Sequence, residues 1–74
     1  MKLNKYQLKA LKRLYDREKP TFNIYVAGIL KDRVPLSFLN FRRECFPEIG
    51  ARDTALIVYG GITYGIEPDG IIHT

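Results

Sequence analysis

ALIVYGGITYGIE, residues 55–67, sets two β-type runs on either side of a Gly-Gly pair. Two structures compete for glycines placed this way, a loop that cradles phosphate and a hairpin turn. A phosphate loop runs from strand through Gly-rich turn into helix, with Lys and Ser or Thr at fixed offsets. Here the glycines lead into a second strand, and no lysine follows Lys31. Gly60 and Gly61 therefore read as a two-residue hairpin turn, whose central residues both need positive φ. The register follows from the turn: Tyr59 opposes Ile62, Ile57 opposes Tyr64 and Ala55 opposes Ile66. One face then carries Ala55, Ile57, Tyr59, Ile62, Tyr64 and Ile66, all apolar, and the other carries Leu56, Val58, Thr63, Gly65 and Glu67.

Working outward, EPDGI (67–71) is a second turn signal, with Pro68 presetting φ and Gly70 supplying a left-handed residue. IIHT (71–74) then returns as a third strand, giving a meander of about three strands. Upstream, LNKYQLKALKRLYDREK (3–19) is a helix with a marked start. Asn4 is an N-cap, Gln7 stands where a capping box reaches back, and Leu3 and Leu8 have the spacing of a hydrophobic staple. Leu8, Leu11, Leu14 and Tyr15 recur at helical steps along one stripe, and Pro20 stops the helix near residues 17–19. LSFLNFRRECF (36–46) reads as a second helix, with Pro35 or Ser37 at its start and Pro47 at its end. Phe38, Phe41 and Cys45 form its apolar line, and Leu39 and Phe46 widen it. Between the helices, TFNIYVAGIL (21–30) alternates at Phe22, Ile24 and Val26. It reads as a short extra strand over residues 21–27, with a short buried helix through Gly28 to Leu30 as the alternative. KDRVP (31–35) reads as a polar connection and PEIGARD (47–53) as a loop. The expected architecture is α+β, a single domain over residues 1–74, with two helices packed on one face of a small antiparallel β-meander.

Composition narrows the function classes. The chain has 74 residues, 46% hydrophobic and 27% charged, as in an ordinary globular domain. One cysteine, Cys45, precludes an internal disulfide, and with one histidine, His73, a closed zinc site within one chain is not expected. No metal, cofactor or small-molecule substrate is expected. No apolar run approaches the roughly 20 residues that span a bilayer, and the start of the chain is amphipathic, not a signal sequence. The sequence thus reads as cytoplasmic, without a membrane partner. Net charge is +4 and unevenly spread, with eleven Lys or Arg against five acids in residues 1–50 and an acidic balance afterwards.

Three kinds of site are candidates. A Cys45–His73 nucleophile pair needs contact and an exposed thiol, whereas Cys45 lies on the apolar line of the second helix and His73 beside the chain end; the chain is not expected to be an enzyme. Lys5, Lys9, Lys12 and Arg13 approximate one side of the first helix, and Arg42 and Arg43 extend it if the helices pack side by side, which makes a candidate polyanion surface. Helices followed by a hairpin are also similar to a winged helix-turn-helix, but the second helix is apolar and the wing carries no cation. Tyr6, Tyr25, Leu56 and Val58 are candidates for a protein interface, aromatic residues near arginines making good anchors. An open strand edge could also pair with a second copy.

The helix ALKRLYDR (10–17), the later FLNFRREC (38–45) and the tail YGGITYGIEPDGIIHT (59–74) together resemble short proteins encoded by tailed bacteriophages. In these a Phe-Arg-Arg helix precedes a strand pair ending in Gly-Ile-Glu-x-Asp-Gly and a His-Ser or His-Thr terminus. The specific part is the tail, residues 65–74, and NIYVAGILKDRV (23–34) falls outside the resemblance. The family carries no assigned biochemistry, so it transfers no functional residue. What it implies is a phage or prophage product in a bacterial cytoplasm that binds a host protein. The sequence is accordingly read as a small non-enzymatic accessory protein binding a host protein or a second copy of itself, with nucleic-acid binding through the basic helix as the alternative.

Overall fold

The computed structural model describes residues 2–45 and 47–74. Helix α1 (Lys5–Glu18) begins as its sequence demands. The Gln7 amide donates to Asn4 Oδ1 at 2.8 Å and the Asn4 amide donates to Gln7 Oε1 at 3.1 Å, closing the capping box. At the other end Lys19 turns left-handed (φ 47°), its N–H donates to the Tyr15 carbonyl, and Pro20 prevents continuation. Ala10, Leu11 and Leu14 face the core. Helix α2 (Phe38–Cys45) starts at Ser37, whose Oγ accepts from the Asn40 amide at 3.2 Å. It buries Phe41 and Cys45. Leu39, expected on its apolar arc, is exposed, because α2 meets α1 and the sheet with only its Phe41 and Cys45 side; Phe46 lies outside the described residues.

The middle of the chain differs most from the reading of its sequence. Residues 21–35 form a complete hairpin, β1 (Thr21–Val26) paired antiparallel with β2 (Ile29–Pro35). The strand expected at residues 21–27 is there. The helix alternative is not, and the segment read as a polar connection is the second half of β2. Ala27 (φ 52°) and Gly28 (φ 77°) make the two-residue turn.

The main sheet is a four-stranded antiparallel meander, β3 (Glu48–Ile49), β4 (Ala55–Tyr59), β5 (Ile62–Ile66) and β6 (Ile72–His73), in that spatial order. Pairing of β4 with β5 has the register that the Gly-Gly turn dictates, Ala55 with Ile66, Ile57 with Tyr64 and Tyr59 with Ile62. The extra strand, β3, comes from the segment read as a loop: two residues are too few to show alternation, and a 3-10 turn at Ala51–Asp53 returns the chain to β4. Ala55, Ile57, Tyr64 and Ile66 are buried under the helices, α1 against β5 and α2 against β4. Ile62, on the same face, is exposed because it adjoins the turn.

Two polar devices join α1 to the sheet. Gln7 is buried, and its Nε2 donates to the Asp53 carbonyl at 2.8 Å and the Ile66 carbonyl at 3.1 Å. Asn4 Nδ2 donates to the Pro68 carbonyl and Arg13 to the Gly70 carbonyl, fastening the EPDG turn to the helix. Gly70 has φ 91°, and a Cβ there would lie 3.0 Å from the Tyr6 carbonyl oxygen, so both conformation and space call for glycine.

Candidate binding surfaces

The β1–β2 hairpin is fixed at its root and free along its shaft. Pro20 and Leu36 are buried, the Leu36 amide donates to the Pro20 carbonyl at 2.9 Å, and Tyr15 Oη donates to the Leu36 carbonyl. Tyr15 in turn meets Phe38 edge-on and Phe41 at a tilt, with ring centroids 5.4 Å apart in each pair. Beyond this root the hairpin touches chiefly itself. Its strands extend about 20 Å at roughly 3.3 Å per residue. The molecule consequently measures 46 × 21 × 18 Å, with a radius of gyration of 13.8 Å, where a compact chain of this length has about 11 Å.

Alternation along β1 sorts the arm's side chains. Phe22, Ile24 and Val26 share a face with their partners Val34, Asp32 and Ile29. Phe22 is 45% exposed, Ile24 38%, Val26 54% and Ile29 63%. The alternation in the sequence is therefore a true strand signal but a false burial signal, since among the described residues no helix or strand of the body packs extensively on this face. Tyr25 and Leu30, also exposed, occupy the opposite face near the tip. No charged residue occurs between Lys19 and Lys31. An isolated two-stranded hairpin is at best marginally stable in water, so an anchored arm with apolar side chains on its surface is a structure suited to a partner. The four exposed side chains of the first face amount to about two full side chains, and burying them is worth ~3–6 kcal/mol.

The sequence-predicted residues fall into three other places. Lys5, Lys9 and Lys12 line the outer side of α1, and packing of α1 beside α2 brings Lys12 and Arg42 to one aromatic ring, 5.9 and 6.0 Å from the centroid of Phe38. Lys12 is also ion-paired with Asp16 at 2.6 Å, and Arg13 is committed to Gly70. Arg43 lies with Leu39, Arg42 and Pro47 around an open hollow. Of the protein-interface candidates, Tyr6 is exposed on α1, Tyr25 on the arm, and Leu56 and Val58 on the sheet face turned away from the helices. They do not form one patch. The arm's Phe22, Ile24, Val26, Ile29 and Leu30 were not singled out as surface residues; the charge-free run flanking Ala27 and Gly28 was the signal that could have found them.

Cys45 and His73 are apart. Cys45 is in the core, where burial, with Glu44 nearby, pushes its thiol up to about 11. His73 lies over the backbone of Gly65 on the far side of the sheet, its Nε2 2.8 Å from Glu67 Oε1, while Thr54 Oγ1 donates to Glu67 Oε2 at 3.2 Å. Among the described residues, no three His, Cys, Asp or Glu side chains are grouped to hold a metal, and no helix is long and apolar enough to cross a membrane. No family model, curated protein or solved structure matches the chain.

Proposed function

We propose that the chain is a non-enzymatic binding module whose working surface is the apolar face of the β1–β2 arm and whose partner is a protein. The observation that carries this reading is the exposure of Phe22, Ile24, Val26 and Ile29 on an arm whose root is anchored through Leu36. Surface hydrophobes scattered singly are ordinary, but a contiguous set on a projecting element is what interfaces are made of. The resemblance to phage-encoded proteins adds a setting, a bacterial cytoplasm, and a class of partner, a host protein. Tagged chain incubated with bacterial lysate, with and without nuclease and at two salt concentrations, should retain a stoichiometric protein that survives both treatments. Phe22→Ser with Ile24→Ser should release it while leaving the circular dichroism of the body unchanged. Retention undiminished by those substitutions would place the interface elsewhere.

Nucleic-acid binding is the second reading, favoured by Lys12 and Arg42 on the Phe38 ring with Lys5 and Lys9 on the same helix. Captured material that vanishes with nuclease, and a salt dependence that flattens in Lys5→Ala with Lys9→Ala, would support it. The pairing of Lys12 with Asp16 and of Arg13 with Gly70 reduces the cations free for phosphate.

A further inference from the structure

We infer that the outer edge of β1 is a docking edge for the β1 of a second copy, so that two arms join into one four-stranded antiparallel sheet. This concerns the edge of the arm, whereas the proposed function concerns its face, and the two can fail separately.

The two edges of the arm are unlike. On β2 the register slips between Ile24 and Tyr25, leaving Lys31 as an extra residue, and Lys31, Asp32, Arg33 and Pro35 follow along the strand. A bulge, charges and a proline are the features by which natural sheets keep an edge unpaired. The edge of β1 has none of them within Thr21–Val26: no charge, no proline and no bulged residue. Stacking of two arms face to face is disfavoured by Asp32, which stands opposite Ile24 in the middle of the apolar face and would lose water with only the Arg33 amide as a donor to its charge. Side-by-side joining leaves Asp32 on an outer strand in water.

The outward groups of β1 are complementary to themselves. The Leu36 amide bonded to the Pro20 carbonyl marks Pro20 as an inward residue of the ladder, and the turn at Ala27 and Gly28 does the same for Val26. Antiparallel alternation then turns the N–H and C=O groups of Thr21, Asn23 and Tyr25 outward. A two-fold axis through Asn23 pairs Asn23 with its own copy and Thr21 with the copy's Tyr25, so that every outward donor and acceptor of the strand is used. The Asn23 side chains, each both donor and acceptor, meet on one face. Phe22 meets the copy's Ile24 on the other, and no charge of either strand approaches the seam. Joining also cures the weakness of the arm itself, since two strands become four. Identical surfaces meeting about a two-fold axis form a closed interface and not a filament.

The experiment is sedimentation equilibrium of the full chain combined with cysteine cross-linking by glutathione disulfide. The expected mass is twice the 8.6 kDa chain, and the native protein should not cross-link because Cys45 is buried. In Asn23→Cys the two sulfurs belong to directly opposed residues with Cα atoms about 5.5 Å apart, inside the disulfide range of about 4.4–6.8 Å. In Tyr25→Cys the equivalent atoms are four residues out of step, about 13 Å, and should not join. Asn23→Pro removes an outward N–H without breaking the arm's own ladder and should give the monomer mass with the helix signal intact. A single-chain mass at millimolar concentration would overturn the inference. So would a dimer that persists in folded Asn23→Pro, or one that cross-links at Tyr25 as readily as at Asn23. Should Asn23→Pro fail to fold, the comparison of the two cysteine positions decides the register alone. A monomer that still captures a lysate protein through Phe22 and Ile24 refutes the edge pairing and keeps the proposed function.

Discussion

Replacing Gln7 by leucine should cost this protein a large share of its stability, although the substitution puts a hydrophobe where the chain already buries one side chain. The Gln7 Nε2 group is the donor for the Asp53 and Ile66 carbonyls, the latter bond being buried. Leucine leaves the Asp53 carbonyl without a donor, at ~1–3 kcal/mol, and takes from the buried Ile66 carbonyl the second of its two donors, the Ala55 amide of the ladder remaining, at ~1 kcal/mol. The Asp53 carbonyl is nearer solvent and can recover part of its loss from water, so the sum is about 2 kcal/mol. Oε1 also accepts from the Asn4 amide, so the helix start loses half of its capping box. A chain of 74 residues has a total stability of about 4–11 kcal/mol at 0.05–0.15 kcal/mol per residue. Urea unfolding followed by circular dichroism should show the midpoint fall with little change in slope. Gln7→Glu provides the sign check. A carboxylate aimed at two carbonyl oxygens is disfavoured in the fold, which raises its pKa above the usual value near 4.3. The variant's deficit should therefore be smallest below that value, where the protonated acid keeps one donor, and grow as pH rises through the folded pKa. A loss below about 1 kcal/mol in Gln7→Leu would refute the reasoning, because it would mean that the carbonyls rehydrate and the hub contributes little.

Other outcomes follow from single positions. Ala27 holds φ 52° in a turn that suits Asn or Gly, so Ala27→Gly should relieve ~1 kcal/mol of left-handed strain; amide exchange should slow in the arm and not in the core. Gly70→Ala meets positive φ and the Tyr6 carbonyl together, and should lower the thermal midpoint by more than Gly65→Ala, where the added Cβ meets only the His73 ring and the ring can move aside. The Cys45 thiol should resist alkylation in the folded protein, and stability should decline as pH climbs from the ordinary thiol value of 9.0 toward 11, because the unfolded chain ionises first.

The parts of the fold legible in the sequence are those fixed by local chemistry. Gly60 and Gly61 determine a turn, the turn determines a register, and the register determines which of residues 55–66 face the helices. Asn4 and Gln7 likewise fix the start of α1. What was not legible is what depends on distant partners. Gln7 reads as a capping residue, and nothing nearby in sequence reveals that its second nitrogen hydrogen serves a carbonyl 59 residues away. Glu48 and Ile49 become a strand only because β4 offers an edge. Most consequentially, Phe22, Ile24 and Val26 carry the period of a half-buried strand, and period reports pairing geometry but not whether anything lies over the face. For the candidate site, the basic residues of α1 and Tyr6, Tyr25, Leu56 and Val58 are exposed but distributed over separate elements, and nothing in the local sequence shows that Tyr25 shares a projecting arm with four more exposed hydrophobes.

The division between root and shaft bears on how such a surface can persist in so small a protein. Buried side chains that hold the body together, from Leu11 and Leu14 to Phe41, Ile57 and Ile66, all lie outside residues 21–35. The arm contributes little to that core, and the core fixes the arm through Pro20, Leu36 and the Tyr15 hydroxyl. Apolar residues on the shaft therefore add little to the core, and they expose the chain to unwanted association. β2 carries guards against such association in its bulge, its charges and Asp32, whereas β1 carries none. A sequence that protects one strand of a hairpin and leaves the other open has the asymmetry that the proposed pairing of the β1 edge requires.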